Sequence, residues 1–154
     1  MDNNKNSLTS FKKSIESTVK VISKTTDVSV VFGGKQNNKI EEINLPELNQ
    51  DTYHKDKELI RGRSDSASLI KRFHSINTHN KIAPKNAVKR EIFNEIEYLR
   101  CELVGSSMFS GIKQNLVYLD EFLINKRTKE NNKLTKSETF KLYLKKEILN
   151  TSFK

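Results

Sequence analysis

Leu8, Phe11, Ile15, Val19 and Ile22 recur at spacings of three and four, which puts them on one stripe of a helix over residues 8–22. Asn6 or Ser7 stands where a side-chain oxygen can cap the helix amides. The pattern then shortens. Residues 27–32 form a short run rich in β-branched valine and are followed by Gly33-Gly34, and 39–45 is a second strand-like run ending at Pro46. Two such runs around Gly-Gly and Asn37-Asn38 predict a β-hairpin near residues 27–45. A lone hairpin is marginal in water, so it must lie on the helices.

Asp51 or Thr52 can cap a long helix to about Asn77, with Leu59, Ser66, Ile70, Phe73 and Asn77 on one face and Ile60 and Ala67 beside it. Gly62 costs such a helix about 1 kcal/mol relative to alanine, so it marks a break or a close approach by another element. A linker over 79–84 leads to a helix opened by Pro84 or Asn86, with the regular stripe Val88, Ile92, Ile96, Leu99 and Leu103 and an expected end near Gly105. Ile112, Leu116, Leu119 and Leu123 define a shorter helix, and the polar residues 125–133 read as a loop. Thr135 with Glu138 is a capping-box signature for a last helix that carries Phe140, Leu144 and Ile148. The expected fold is mainly α, with four or five helices and one small β-hairpin near residues 27–45. Residues 1–124 form a helical domain, and 125–154 a basic loop and C-terminal helix packed on it.

Composition removes several function classes. The 154 residues suit one domain, and the single cysteine, Cys101, rules out an intrachain disulfide or a Cys-rich zinc site. No apolar run is long enough to span a membrane, and Met1-Asp2-Asn3-Asn4 lacks the core of a secretory signal, so a cytoplasmic protein is expected. The net charge of +9 raises an alternative, a small basic nucleic-acid-binding protein. Residues 126–154 hold nine Lys or Arg against three Glu, so +6 of the charge lies in that tail. No helix-turn-helix, zinc finger or RNP-type strand accompanies it, and nucleic acid is disfavoured. Five of the six arginines (Arg61, Arg63, Arg72, Arg90 and Arg100) lie between 61 and 100, which directs attention there.

His74 and His79 are five apart, about 140° on a continuous helix, where a shared metal face needs four. No glutamate follows His74, so a metal enzyme built on this pair is the weakest reading. Glu97 and Arg100 are helix neighbours three apart, flanking the Ile96/Leu99 stripe with Glu102 close by. They form a partly buried ion pair or a docking spot that uses the arginine fork. Gly33-Gly34 lacks the rest of a phosphate loop, and no Gly-x-Ser-x-Gly elbow occurs. Cys101 reads as a small core residue. No catalytic, cofactor-binding or metal-binding residue is predicted.

Residues 61–69, Arg61-Gly62-Arg63-Ser64-Asp65-Ser66-Ala67-Ser68-Leu69, with His74 and His79 beyond, resemble the "RG-x-AD-x-x-A-L … H … H" signature of CobT proteins. Lys81-Ile82-Ala83-Pro84 is similar to that family's "ARLAP" stretch. Ile92-Phe93 through Glu97, Arg100, Glu102 and Gly105 resembles "VFD-x-x-E-x-x-R-x-E-x-x-G", and the likeness continues through Gly111 and Asn115-Leu116. It covers most of residues 8–124. Ser107 and Met108 stand where the family often has basic residues, and the Asp-x-Ser-x-Ser motif of the family's von Willebrand A domain does not occur in this chain. The chain is therefore expected to correspond to the amino-terminal region alone.

The resemblance implies a subunit of aerobic cobaltochelatase. There an AAA+ ATPase works with the CobT-type subunit while a large chelating subunit inserts cobalt into a corrin ring. This chain is then a scaffold that contacts the ATPase subunit, the chelating subunit or further copies of itself. The assembly uses ATP, magnesium and cobalt, and the chain is expected to bind none of them. The candidate interaction or structural cluster is Arg61, Asp65, His74, His79, Glu97, Arg100 and Glu102. Within it, Arg61 can pair with Asp65 four residues on, or Asp65 can accept from Arg100 and leave Arg61 for another subunit.

Overall fold

The computed structural model describes residues 2–34, 42–130 and 132–151. Along these residues run α1 (Asp2–Ser23), β1 (Ser29–Phe32), β2 (Glu42–Leu45), α2 (Gln50–Phe73), α3 (Ile76–Ile82), α4 (Ala87–Met108), α5 (Ile112–Lys129) and α6 (Lys136–Thr151). Six helices replace the expected four or five, because the long second helix breaks. Helix α2 starts where Asn49 accepts from the Asp51 and Thr52 amides at 3.1 and 3.0 Å, and Thr52 Oγ1 accepts from the Asn49 amide. It ends at Phe73. His74 turns to extended backbone, and Ser75 caps α3 by accepting from the Thr78 amide. Local capping by Ser75 outcompetes continuation of α2, and the stretch read as a linker from residue 79 is largely α3.

The two strands are parallel, so the expected hairpin is overturned. Val30 stands opposite Ile43 and Phe32 opposite Leu45. The Gly33 amide donates to the Leu45 carbonyl at 3.0 Å and carries the ladder past Phe32. Glycine and asparagine signal a turn but not a strand direction. The connection over 33–41 can reach roughly 30 Å when extended, against the roughly 10 Å needed to return to the start of a four-residue strand. The Asn37-Asn38 loop and the start of the second run at 39–41 lie outside the described residues.

Helix α2 is the centre, touching α1, α4, α5 and β2. One core cluster joins Phe11, Ile15 and Val19 of α1 to Val28, Ile43, Leu45, Leu48 and Ile60. A second joins Ile22, Leu69, Ile112 and Leu116, flanked by Phe73 and Phe109. The glycines mark where helices meet. A Cβ on Gly62 would stand 2.6 Å from the Asn115 carbonyl oxygen, and one on Gly105 2.0 Å from a Leu69 methyl. Gly62 therefore lets α5 cross α2. Gly105 is a contact inside α4, not its end, and α4 continues to Met108. Helix α5 also outruns its apolar pattern, through residues read as a loop. Its last turn holds Lys126, Arg127 and Lys129, which suit the negative end of the helix dipole. The Thr135/Glu138 capping box forms as expected. No helix among the described residues is long and apolar enough to cross a membrane.

Candidate functional site

The seven candidate residues fall in three places. The first is the junction of α2, α3 and α4. Arg100 grips both oxygens of Glu97, at 2.8 and 2.7 Å, and donates to the Phe73 carbonyl at 2.8 Å. That carbonyl is among the orphan acceptors at the end of α2, so α4 caps α2 through an arginine fork. His74 Nδ1 lies 3.1 Å from Glu97 Oε1. The Arg100 hydrogen bond, helped by His74 and opposed by partial burial, holds the Glu97 carboxyl down at about 2. The break after α2 brings the His79 ring to 4.7 Å from the His74 ring, edge-on, and 4.8 Å from Phe93. On one continuous helix the two histidines would have pointed apart. His79 Nε2 meets Asn94 Oδ1 at 2.8 Å, while its buried Nδ1 has no hydrogen-bond partner. Among the described residues no group of three or more His, Cys, Asp or Glu is arranged to hold a metal ion. Cys101 is fully buried beside this junction, and burial pushes its thiol up to about 11, so it stays protonated at neutral pH.

Glu102 sits one turn further along α4 in a different environment. It is 3% exposed, accepts from Ser66 Oγ of α2 at 2.8 Å and from Lys145 Nζ of α6 at 3.0 Å, with Lys141 Nζ at 3.9 Å. Lys145 is itself 5% exposed and also pairs with Asp120 of α5. Burial alone would raise Glu102, but the Lys145 and Lys141 charges and the Ser66 hydrogen bond outweigh it and keep the carboxyl below its usual range. Burial wins at Asp120, whose carboxyl is raised in spite of Lys145. One ammonium thus holds four helices together through two carboxylates and a serine.

Lys145, Lys141 and Asp120 were missed by sequence reasoning, although a signal was present. Ser137, Lys141 and Lys145 recur every four residues, and they meet Glu91, Glu95 and Glu102 in that order. Partners that ascend together make α4 and α6 parallel. The apolar stripe expected to anchor α6 is turned partly outward: Phe140 is 41% and Ile148 39% exposed, while Ser137 and Lys145 are buried.

Asp65 occupies the third place. Its carboxylate accepts from Asn115 Nδ2 of α5 at 2.7 Å, not from Arg100, which is engaged at the end of α2. Burial outweighs the Asn115 hydrogen bond and the nearby Arg61 charge, and raises Asp65 to about 6. The Arg61 guanidinium lies 5.5 Å from the Phe11 ring of α1. Asn115, part of the family resemblance but not among the seven candidates, is also the residue whose carbonyl fills the space above Gly62. Chemically, each of the three places fastens one helix to another.

No solved structure matches the chain. The profile of the family described as cobalamin biosynthesis protein CobT matches residues 5–139, most of the chain and all seven candidate residues. On that match the chain belongs to the CobT family, which ties it to cobalamin biosynthesis.

Proposed function

We propose that this chain is a non-catalytic interaction and scaffold domain of a CobT-type subunit in an ATP-dependent cobaltochelatase, the assembly that inserts cobalt into a corrin ring. Its partners are the AAA+ ATPase subunit and the large chelating subunit, with self-association as a further mode. ATP, magnesium and cobalt are handled by those partners. Residues 1–124 are the body of the domain, and 125–154 pack on it. The carrying observation is that the polar residues resembling the family signature are spent between helices: Glu97 and Arg100 close α2, Glu102 joins α2 to α6, and Asp65 joins α2 to α5. Such a set supports a rigid surface for docking. The test is co-elution of the purified chain with the ATPase subunit and, separately, with the chelating subunit. Stable co-elution with either supports the reading, and failure with both removes it. A salt titration with duplex DNA and single-stranded RNA covers the alternative, since tight, salt-sensitive binding near physiological ionic strength would put nucleic-acid binding in its place.

A further inference from the structure

Helices α5 and α6 each use one face for packing. Helix α5 turns Ile112, Leu116 and Leu119 inward, and α6 turns Ser137 and Lys145 inward. Between their other faces lies a trough. Its wide end, about 860 Å³, is lined by Val117 and Ile124 of α5 and by Leu142 and Tyr143 of α6. A second cavity of about 220 Å³ shares Ile124 and Leu142 with it. A third, of about 490 Å³, shares Ile124 and extends to Arg127 and Lys133. The trough therefore follows α5 from Lys113 to Arg127, roughly 21 Å at the helical rise of 1.5 Å per residue.

We propose that this trough docks an acidic amphipathic helix of a partner protein; the inference rests on reading the chain as an interaction domain. Shape comes first. Val117 and Ile124 on one wall face Leu142 and Tyr143 on the other, with Glu121, Thr139 and Lys146 beside them, so the trough offers an apolar strip with polar margins, the surface that an amphipathic helix matches. The length accommodates about four turns. Tyr143, 60% exposed, stands at the opening with a large apolar surface and a polar tip. On the floor, Lys145 is already engaged by Asp120 and Glu102, so apolar contact with an occupant comes from the walls.

Charge selects the occupant's other face. The three cavities together are lined by six Lys or Arg and four Asp or Glu, five of the six basic residues belonging to the basic tail from 126 to 154. A second copy of a chain carrying +9 is repelled from such a surface. A nucleic acid would match the charge but not the aliphatic walls, which offer a single aromatic ring for stacking.

The experiment is a two-dimensional amide NMR titration of the whole chain with a synthetic 15-residue peptide. The peptide carries Leu at helical spacings of three and four and Glu elsewhere, and a Lys-for-Glu counterpart is the control. The Glu peptide is expected to shift amides at 113–124 and 139–146, to bind more weakly as salt rises, and to lose at least about tenfold in affinity to Tyr143→Glu. Thermal melts establish that this exposed substitution leaves the fold intact, and Lys146→Glu provides a second variant. Shifts confined elsewhere, equal binding of the Lys peptide, or indifference to both variants would overturn the proposal. A dimer that Tyr143→Glu abolishes would assign the trough to a second copy, and duplex DNA shifting the same amides would assign it to nucleic acid. Co-elution of the ATPase subunit that ignores Tyr143→Glu sinks the trough and spares the scaffold reading. Peptide binding without any co-eluting subunit does the reverse.

Discussion

The two ends of the molecule are buried by different physics. Around α1, β1, β2 and the first half of α2, the contacts are apolar: Phe11, Ile15, Val19, Val28, Ile43, Leu45, Leu48 and Ile60 form one cluster. Between α4, α5 and α6, the contacts include a buried ionic cluster: Glu102 and Lys145, with Asp120 at its edge and Ser66 reaching in from α2. Burial in the first region stabilises in proportion to area, at about 25 cal/mol per Å². In the second region desolvation nearly cancels the attraction, so the net stabilisation is small while the penalty for a wrong pairing is large. The apolar end supplies stability. The ionic end supplies direction, since three ordered polar rungs hold α6 parallel to α4.

The sharpest way to break this contrast is to remove one charge and then all of them. Glu102→Leu takes from Lys145 the more deeply buried of its two carboxylates and leaves Ser66 unpaired, at an expected cost of about 3–5 kcal/mol in denaturant unfolding. Combining it with Asp120→Leu and Lys145→Met removes all three charges and should return most of that loss. A triple variant as unstable as the single one would mean that the ionic end contributes net stability after all. At the apolar end, Ile60→Ala, at a position with no exposure, should cost about 2–5 kcal/mol by the same measurement. No charged replacement there should recover it.

The same contrast decides what the sequence made legible. The stripe of α1, the capping box at Thr135 and the Glu97–Arg100 pair all follow from spacing within one helix, and all are present. Strand direction was not legible, because turn-forming residues do not encode it. Neither was the break at His74, where local capping by Ser75 overrides an unbroken apolar pattern. The ionic end was the least legible part of the candidate site. Lys141 and Lys145 look like solvent residues until matched against Glu95 and Glu102 on a different helix. Periodicity reports which face is apolar, and on α6 that face is not the one buried deepest.

A third prediction isolates Asp65, a buried carboxylate held by an amide hydrogen bond from Asn115. Asp65 is raised from 3.8 to about 6 by burial, against Asn115 and Arg61. Between those values the folded chain holds a proton that the unfolded chain has released, so stability falls as pH rises through the window. At 1.36 kcal/mol per pH unit the full effect is about 3 kcal/mol, present as destabilisation above pH 6. Glu97 has the opposite sign. Its carboxyl, held at about 2 against 4.5, loses its stabilising role as pH falls through that range. The two therefore pull in opposite directions, Asp65 favouring lower pH and Glu97 higher. Asp65→Asn, which keeps an acceptor for Asn115, should raise the melting temperature at pH 7.5 and flatten the rise between pH 6 and 4. An unchanged slope would transfer that titration to Asp120, the other buried carboxyl raised by desolvation.

The smallest expected effect lies at Arg61, where the two kinds of contact meet. Its guanidinium faces the Phe11 ring of the apolar core, and its charge acts on Asp65 four residues along α2. An exposed cation–π contact contributes about 0.5–1 kcal/mol. Arg61→Ala should therefore cost no more than about 1 kcal/mol at pH 7. It should also move the Asp65 titration upward, because one of the two influences lowering that carboxyl is gone. In the Asp65→Asn background the electrostatic part has nothing to act on, and only the ring contact remains. A double-mutant cycle at pH 7 then separates the two: the coupling energy reports attraction across α2, and the residual cost reports the contact with Phe11. A cycle with no coupling would mean that solvent screens Arg61 from Asp65 completely. The charge of Arg61 would then be available in full to another subunit, and its loss would be read in co-elution, not in melting.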